Sequence, residues 1–548
     1  MPGRPTAIIS ALRRMKAPRT SDRARVPSRP GRAGIPSESL LNSGLASPKV
    51  RRGLILATFA LGAGLRLAGL GTVGINSDEA VYLGQAAALA EAPGFEELFP
   101  IFRAHPLLLQ AALSVLFRFG VSDIAGRLVS VLIGLGTVWL AYRLGQMLYG
   151  PRAGWVSALL LAVMPYHVVV SRQVLLDVPL AFFSTLTLYL LARYAANMQP
   201  SWLYAAGASM GLVFLSKETG IVLLGAIYAS LALSPKIHVR LRDLAVSLGT
   251  MAMVMLPYPL TLALAGGAGA DRTQQYLVWQ LSRRPNHDWT FYPGDVGASM
   301  GVPLLLAALL GFILLRRQNS RKEILLVSWV VVPALFFQMW PVKGFHYLLL
   351  TAPPLAVLAA RVLAGWPRTP TIRVRGREFP SAWIRFPLTA AVALLLAGAS
   401  WQRIQPPTAD RFLAGTGGVP GGREAGLWLR DNTPEGASLM TIGPSMANIL
   451  QFYGHRRAFG LSVSPNPLHR NPAYTPIRNP DFDIRTGEIQ YLIWDAYSAG
   501  RSNFFAAKIL DYAGRYDGRV VHIEAVPVRS PQGGEASTPV IVIYEVRP

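Results

Sequence analysis

The sequence predicts a polytopic α-helical membrane protein, with about eleven transmembrane helices and additional juxtamembrane helices, followed by a small C-terminal α/β domain. Three observations favour this fold class. Hydrophobic residues make up 51% of the 548 residues and occur in long blocks, without the spacing of amphipathic helices or half-buried strands. Arg and Lys lie mainly between the blocks, so the formal net charge of +24 can be explained without a nucleic-acid partner. Beyond residue 401, short strand-like runs replace the long blocks.

Residues 1–52 are predicted to form a disordered, basic tail in the cytoplasm. The segment is rich in Arg, Pro and Ser and too poor in apolar residues to form a core. It contains no apolar run long enough for a signal-peptide core. The first hydrophobic block is therefore expected to stay in the membrane as a signal anchor.

Residues 53–401 are predicted to form the transmembrane domain. A helix needs roughly 20 apolar residues to cross the hydrocarbon core of a bilayer. The blocks that approach this length are Gly53–Gly71, Gly126–Leu148, Gly154–Val170, Val178–Tyr194, Ser201–Ser216, Gly220–Ser234, Leu244–Leu264, Val296–Leu315, Ile324–Trp340, Phe345–Leu363 and Phe386–Trp401.

The segment His105–Phe119 is predicted to lie flat at the outer membrane surface. At about 15 residues, with an internal Arg118, it is typical of an interfacial helix. If it does not cross, the later Arg and Lys clusters face the cytoplasm together with the tail, as the positive-inside rule requires. These clusters lie around Arg143 and Arg152, at Arg193, at Lys236–Arg242, at Arg316–Lys322 and at Arg368–Arg377. The resulting topology places the C-terminus on the outer side of the membrane. The protein is expected to lie in the plasma membrane of the cell.

Residues 402–548 are predicted to form an extracytoplasmic α/β domain. Strands are expected at SLMTIG, YLIWD, VVHIEAV and PVIVIYEV, and a helix over Arg423–Arg430. No catalytic motif is evident in this region.

The adjacent acids Asp78 and Glu79 are the first candidate site residues. They follow the first span and open the run AVYLGQAAALA, so one interpretation is a helix cap with an acid at the positive end of the helix dipole. The other interpretation is catalytic. A carboxylate near lipid has a raised proton affinity and can accept a proton from a hydroxyl as a general base.

Arg172 and Asp177 lie in SRQVLLDVPLAFF, at the outer junction of two predicted spans. Snorkelling and capping would explain them, but a carboxylate at the lipid boundary needs a partner. Arg172 could hold an anionic phosphate, and Asp177 could bind sugar hydroxyls or orient the first acid pair. Arg66, near the outer end of the first span, is expected to snorkel to the interface.

Two further segments bring charges to the same predicted face. LSKETG places Lys217 and Glu218 side by side within an apolar stretch. VKGFHYLLLTAPP supplies Lys343, His346 and Tyr347 at the start of a span, either as an aromatic belt with a snorkelling Lys or as a cradle for a lipid phosphate.

Histidines raise the question of a metal. His287 precedes Asp288 and an aromatic cluster in the loop between two spans, and His105 opens the interfacial segment. Neither HxH nor HExxH spacing is present, so no cofactor is required by the sequence and a divalent metal is left open. Cysteine is absent, which excludes a disulfide framework and a thiolate metal site. No Walker loop or dinucleotide-binding pattern indicates ATP or a nicotinamide.

In this order, the motifs resemble the GT-C membrane glycosyltransferases, in particular the relatives of protein O-mannosyltransferases and lipid A aminoarabinose transferases. The resemblance covers roughly Gly53–Arg361. It includes the DE pair, HPL, AGRLVSVLIGLGTVWLAYRLGQMLYGPRAG, SRQVLLDVPLAFF, GLVFLSKETG and KGFHYLLLTAPPLAVLAA, with a His before an aromatic cluster in the loop. Here HPL stands where relatives often show a double proline, and a lone His287 replaces a fuller histidine set.

The resemblance implies transfer of a sugar from a polyprenyl-phosphate carrier to an acceptor hydroxyl on a protein, glycolipid or glycan, with inversion at the anomeric carbon. Asp78 corresponds to the catalytic base. Glu79, His105 and Asp177 are implied to shape the sugar and acceptor pocket. The residues implied to hold the departing phosphate are Arg172, Lys217, Lys343 and Tyr347.

A lipid or solute transporter is the alternative function, since polytopic proteins with intramembrane charges often move ions or lipids. The charges are predicted at one face rather than at the midplane, and no paired halves with interrupted helices are evident. An inactive scaffold that carries the outer domain would leave the gathered charges unexplained.

Overall fold

A computed structural model describes residues 47–101, 105–234, 237–264, 267–313, 321–365, 371–374, 377–380, 382–405, 418–529 and 535–547. Most of the predicted basic tail, part of the Lys236–Arg242 cluster and much of the two clusters near residues 316 and 368 lie outside these ranges. The first helix begins at Pro48, five residues before the predicted start of the transmembrane domain.

Helices dominate the chain up to residue 404. They are α1 (Pro48–Leu67), α2 (Ser77–Leu89), α3 (Phe95–Leu98), α4 (Leu108–Phe117), α5 (Asp123–Tyr149), α6 (Pro151–Val163), α7 (Pro165–Val170), α8 (Asp177–Asn197), α9 (Pro200–Ser216), α10 (Leu223–Ala232), α11 (Leu241–Met255), α12 (Pro257–Leu264), α13 (Gly267–Ser282), α14 (Phe291–Val296), α15 (Val302–Ile313), α16 (Arg321–Met339), α17 (Ala352–Gly365) and α18 (Ala382–Ile404). Short 3₁₀ segments precede α10 (Glu218–Val222) and α17 (Phe345–Thr351), a π-helical turn (Gly297–Gly301) precedes α15, and a hairpin (β1, Thr371–Val374; β2, Arg377–Pro380) precedes α18.

Helical structure is present in every block predicted to span the membrane, and the protein is a multi-pass membrane protein. Among the described residues, seven helical segments are long and apolar enough to cross a bilayer. They are Asp123–Tyr149, Asp177–Asn197, Leu241–Leu264, Phe291–Ile313, Lys322–Met339, Phe345–Gly365 and Ile384–Ile404. The other four predicted spans correspond to α1, α6 with α7, α9, and the Glu218–Ala232 segment, which do not meet these length and hydropathy criteria.

The predicted interfacial segment contains the short helix α4. Its ten residues extend about 15 Å, half the thickness of a hydrocarbon core of about 30 Å. Leu109, Leu113 and Phe117 are buried, and the helix packs against α2. This length supports the prediction that the segment does not cross the membrane.

Arg66 does not snorkel, and that expectation was wrong. Its side chain is fully buried (0% exposed). The guanidinium donates to Ser171 Oγ (2.9 Å) and to the carbonyls of Gly62 and Ala162, and lies 2.7 Å from His167 Nδ1. Hydrogen-bond partners on α6 and α7 bind the guanidinium inside the bundle, so the Arg66 side chain does not extend to the membrane surface.

The C-terminal domain is an α/β domain, as predicted. Its helices are α19 (Gly422–Asn432), α20 (Pro444–Gly454), α21 (Pro480–Arg485), α22 (Ala496–Arg501) and α23 (Asn503–Arg515). Its strands are β3 (Ser438–Thr441), β4 (Arg457–Gly460), β5 (Tyr491–Asp495), β6 (Arg519–Arg529) and β7 (Glu535–Glu545). The strand order is β4-β3-β5-β7-β6; β3, β4 and β5 are mutually parallel, whereas β7 is antiparallel to β5 and β6.

Apolar packing joins the C-terminal domain to the juxtamembrane helices. One hydrophobic cluster contains Leu83 of α2 and Leu113 of α4 together with Phe452 and Leu439 of the C-terminal domain. The rings of Phe95 and Phe452 meet edge to face at 5.7 Å between centroids. The domain therefore rests on the helices that follow Asp78.

A buried acid at the end of β5 gives a pH-dependent prediction. Asp495 is 0% exposed; Oδ1 accepts from the Ser498 backbone N–H (2.7 Å), whereas Oδ2 has no partner among the described residues. Burial raises the pKa of Asp495 to about 6, despite the lowering effect of Ser498. Between about pH 4 and 6 the folded state keeps a proton that the unfolded state has lost. As the pH rises through this window, the free energy of unfolding should therefore fall by about 2–3 kcal/mol, and it should stay level at higher pH.

The test is thermal unfolding of the full chain in detergent between pH 4 and 8. Asp495→Asn keeps an acceptor for Ser498 and removes the titration, so its unfolding should lose this part of the pH slope. An identical slope in parent and variant would contradict the assignment.

Candidate active site

The two acids at the start of α2 have different environments. Asn76 caps the helix, because Asn76 Oδ1 accepts from the Glu79 N–H and Glu79 Oε2 accepts from the Asn76 N–H, both at 3.0 Å. Asp78 is exposed and has no hydrogen-bond or ion-pair partner among the described residues, whereas Glu79 is completely buried. Asp78 is therefore the acid of this pair that is free to meet a substrate.

Glu79 is held by an ion pair with Arg127 of α5. Arg127 Nε and Nη2 donate to the two carboxylate oxygens at 2.8 Å each, and the Val174 N–H donates to Oε1 at 3.0 Å. The remaining guanidinium hydrogens bind carbonyls in the 70–74 segment. These contacts support a scaffolding role for Glu79 in place of the substrate contact implied by the resemblance.

Arg172 is also occupied by the protein itself. Its guanidinium donates to the carbonyls of Leu65, Arg66, Ala68 and Gly69, which are free of helical partners at the end of α1. A cation there also complements the helix dipole. These contacts support anchoring of the segment before Asp78 rather than phosphate binding.

Asp177 and Lys217 form a buried ion pair between the start of α8 and the end of α9. Lys217 Nζ lies 3.0 and 2.9 Å from the two oxygens of Asp177, and the two side chains are 7% and 3% exposed, respectively. His346 Nε2 lies 3.6 Å from Asp177 Oδ2, and Lys217 Nζ lies 4.5 Å from the ring centre of Tyr347. The structure thus brings these four predicted residues together.

The Asp78 carboxylate belongs to the same pocket. It is close enough to interact electrostatically with His346, Tyr347 and Tyr82. Asp177 acts on the same three side chains. Residues from the α2, α8 and α17 regions of the chain therefore converge at one end of the helical bundle.

His105 and Glu218 pair with each other beside this pocket. His105 Nδ1 lies 2.8 Å from Glu218 Oε2, and Tyr276 Oη lies 3.2 Å from His105 Nε2. Both side chains are partly exposed, at 20% for His105 and 25% for Glu218. Because opposite nitrogens of His105 have partners, the orientation of its ring is fixed.

Lys343 is a buried cation that forms no ion pair among the described residues, although its charge acts on the exposed Asp288. Lys343 is 5% exposed, and its ammonium makes no hydrogen bond or ion pair with any residue the structure describes. Asn286 fixes its backbone through hydrogen bonds in both directions (2.8 and 2.9 Å), and Nζ faces the ring of Trp289 at 5.6 Å. An isolated charge in such a place is costly, so an anionic ligand would stabilise it.

His287 lies apart from the acids. It is exposed, and its ring stacks on Phe291 at 4.1 Å between centroids. Within the described ranges, no three His, Asp or Glu side chains are close enough to hold a metal ion.

Several side chains near the pocket were not predicted from the sequence. Tyr276 contacts His105, and the charge of Arg283 acts on Tyr276 and Tyr347. Tyr474 and Tyr497 of the C-terminal domain interact electrostatically with the Asp78 carboxylate. The RRPNHDW loop carried a charge signal that could have identified Arg283, whereas the tyrosines had no distinguishing sequence context.

Comparisons with known proteins bear on the fold of the chain. Residues 104–261, less than a third of the chain, match the family model described as dolichyl-phosphate-mannose-protein mannosyltransferase. No protein of curated function matches the chain in sequence. The fold is that of the GT-C glycosyltransferases, which confirms the predicted fold class and resemblance.

Three solved structures of two proteins show the extent of the similarity. ArnT from Cupriavidus metallidurans in the apo state is 15% identical, with a TM-score of 0.65 over 90% of this chain and 98% of that one. The same protein bound to undecaprenyl phosphate gives a TM-score of 0.63 at 14% identity, with the same coverage. The Archaeoglobus fulgidus oligosaccharyltransferase in its apo form gives 0.56 at 14% identity, over 90% of this chain and 75% of that one.

Proposed function

We propose that this protein is a glycosyltransferase that moves a sugar from a polyprenyl-phosphate donor to an acceptor hydroxyl at the extracytoplasmic face of the membrane. The observation that carries the proposal is that the exposed carboxylate of Asp78 and the buried ammonium of Lys343 make no hydrogen bond or ion pair with any residue the structure describes. The fold supports it, as do the ligands of its neighbours. One ArnT structure holds undecaprenyl phosphate, and a structure of the Archaeoglobus fulgidus enzyme holds dolichol phosphate and an inhibitory peptide.

The proposed reaction is a single displacement at the anomeric carbon. The acceptor oxygen forms a bond to that carbon while the bond to the phosphate oxygen breaks, which inverts the configuration. Asp78 takes the proton of the acceptor hydroxyl. Polyprenyl phosphate leaves with its negative charge, which nearby cations stabilise.

The contacts change the expected division of roles. Lys343 is available to a phosphate, and Arg283 has no carboxylate partner among the described residues, so we assign the phosphate to these two cations. The ammonium of Lys217 forms an ion pair with Asp177 and faces the ring of Tyr347. We therefore assign the Lys217–Asp177 ion pair, together with His346, to the sugar side of the pocket. Arg172 and Glu79 support the segment that carries Asp78.

The direct test uses the purified full chain in lipid nanodiscs with undecaprenyl-phosphate-linked radiolabelled sugars. The acceptor is an envelope fraction of the source cells, and parallel reactions contain EDTA or added divalent metal. Labelled product together with free undecaprenyl phosphate is expected. Absence of both transfer and donor hydrolysis, with lipid or solute movement seen in proteoliposomes, would instead establish a transporter.

Lys343→Met is predicted to weaken donor binding. Methionine keeps the length and the burial but removes the charge that binds the phosphate, so affinity for undecaprenyl phosphate should fall about 10- to 100-fold. The yield of folded protein should not fall, because an uncompensated buried charge is lost.

Binding of undecaprenyl phosphate measured by native mass spectrometry checks this prediction. Lys322→Met is the matched control, since Lys322 is exposed and donates to the Leu148 carbonyl at the other end of the bundle. Equal affinities in the parent and the Lys343 variant would remove Lys343 from the phosphate site.

A further inference from the structure

The C-terminal domain is fastened to the segment that carries Asp78. Asn448 of α20 donates to Ser77 Oγ at 3.0 Å, and the Ile75 N–H donates to the phenol oxygen of Tyr453 at 3.1 Å. The backbone at Gly418 approaches the Gly74 carbonyl so closely that no side chain would fit there. The position of the segment just before the reacting acid is therefore set partly by a domain more than 300 residues away in the chain.

A second contact fixes the domain to the start of α5. Arg423 and Tyr453 both bind Asp123 Oδ2, and Arg423 also donates to the Gly71 carbonyl. Tyr453 is buried, and Asp123 and Arg423 are partly shielded from solvent. This triad, Asp123 with Arg423 and Tyr453, limits rotation of the domain over the site.

The edge of the sheet that faces Asp78 is the edge at which parallel α/β domains usually bind ligands. The chain passes from β3 to β4 on one side and later to β5 on the other, so a topological switch point lies between β3 and β5. Crevices at the carboxyl ends of parallel strands at such a point commonly hold ligands. Asn448 lies in the helix after β3, and Tyr497 follows β5 directly.

Asn448, Tyr474 and Tyr497 of the C-terminal domain lie close to Asp78 or to the Ser77 that precedes it. Asn448 Nδ2 lies 3.5 Å from the Tyr474 hydroxyl as well as 3.0 Å from Ser77. Burial and the nearby Asp78 carboxylate raise the pKa of Tyr474 and also that of Tyr497, although Asn448 and Arg501, respectively, act in the opposite direction. Both phenols therefore stay protonated at neutral pH and can donate hydrogen bonds.

We infer that the C-terminal domain forms the acceptor side of the active site, with Asn448, Tyr474 and Tyr497 positioning the acceptor hydroxyl against Asp78. This inference rests on the proposed transferase function. In a single displacement, the acceptor oxygen attacks on the side opposite the phosphate and beside the base. The groups that flank Asp78 on the domain side are thus the ones that meet the acceptor, while Lys343 holds the donor phosphate.

The inference predicts a split between transfer and hydrolysis. Tyr474→Phe removes one hydroxyl from the acceptor side, so the half-saturating amount of acceptor should rise about tenfold. The ratio of sugar transferred to sugar released into water should fall by a similar factor. Asn448→Ala should shift the same ratio in the same direction.

The experiment uses the full chain in nanodiscs with undecaprenyl-phosphate-linked radiolabelled mannose and an envelope fraction of the source cells. Label is counted in product and in free sugar, for the parent, the two variants and Tyr516→Phe. Tyr516 is a matched control in the same domain, since its phenol bonds to Asp481 and Arg485 rather than to Ser77, Asn448 or Tyr474. A fall of transfer and hydrolysis by one common factor, or an unchanged ratio in both variants, would overturn the inference. A parent chain that neither transfers nor hydrolyses the donor would instead overturn the proposed function.

Discussion

Asp78→Asn is expected to reduce the rate of sugar transfer about 10²- to 10⁴-fold, the range typical of a lost general base. Asparagine keeps the size of the side chain and cannot accept the acceptor proton. The helix cap should survive, because the capping contacts are made by Asn76 and Glu79. Affinity for undecaprenyl phosphate should stay the same or rise, since a negative charge near the phosphate is removed.

Initial rates of label transfer, with lipid binding measured in parallel, check this prediction. Asp78→Glu provides a graded comparison, because the carboxylate is retained but displaced by one methylene group. A Asp78→Asn variant that transfers sugar at the parental rate would exclude this acid as the base.

Glu79→Gln is expected to act on stability rather than on chemistry. The carboxylate neutralises the buried guanidinium of Arg127 and accepts from the Val174 N–H, so the amide leaves a buried charge without its counter-ion. Removal of one partner of a buried pair typically lowers the free energy of unfolding by about 3–5 kcal/mol. Folded yield and thermal unfolding in detergent should both fall clearly below those of Asp78→Asn, which is the matched control one residue away.

A second substitution separates the ion pair from other effects. Arg127→Met in the Glu79→Gln background removes the orphaned charge, so part of the lost stability should return. If Glu79→Gln instead folds like the parent and loses transfer, the two neighbouring acids have been assigned in reverse.

The fold was largely predictable because membrane-spanning helices require long apolar segments, which are easily seen in a sequence. The bilayer also excludes most other backbone structures from its hydrocarbon core. The C-terminal strands at SLMTIG, YLIWD, VVHIEAV and PVIVIYEV also fall in β3, β5, β6 and β7. Strand β4 was not predicted because RAFG is only four residues long and does not alternate between apolar and polar residues. The prediction that Arg66 snorkels was wrong because the sequence does not show which carbonyl of α6 its guanidinium will bind.

The candidate site could be assembled from the sequence only in part. Asp78, Asp177, Lys217, His346 and Tyr347 stand out as polar residues at the ends of apolar blocks, and they converge. The difference between Asp78 and Glu79 depends on Arg127, which lies in the middle of AGRLVSVLIG and carries no sign of its partner. Roles set by long-range hydrogen bonds are not encoded in local spacing.

The triad of Asp123, Arg423 and Tyr453 has a consequence for biosynthesis. A nascent chain that has inserted α1 to α18 already contains Asp78 and Lys343, yet the residues that steady the Asp78 segment have still to leave the ribosome. In the proposed reaction and topology, such a chain can meet donor lipid before the C-terminal side chains near Asp78 are in place. Completion of the proposed site then follows translocation of the last quarter of the chain, and truncation before residue 448 should yield an inserted but unfinished protein.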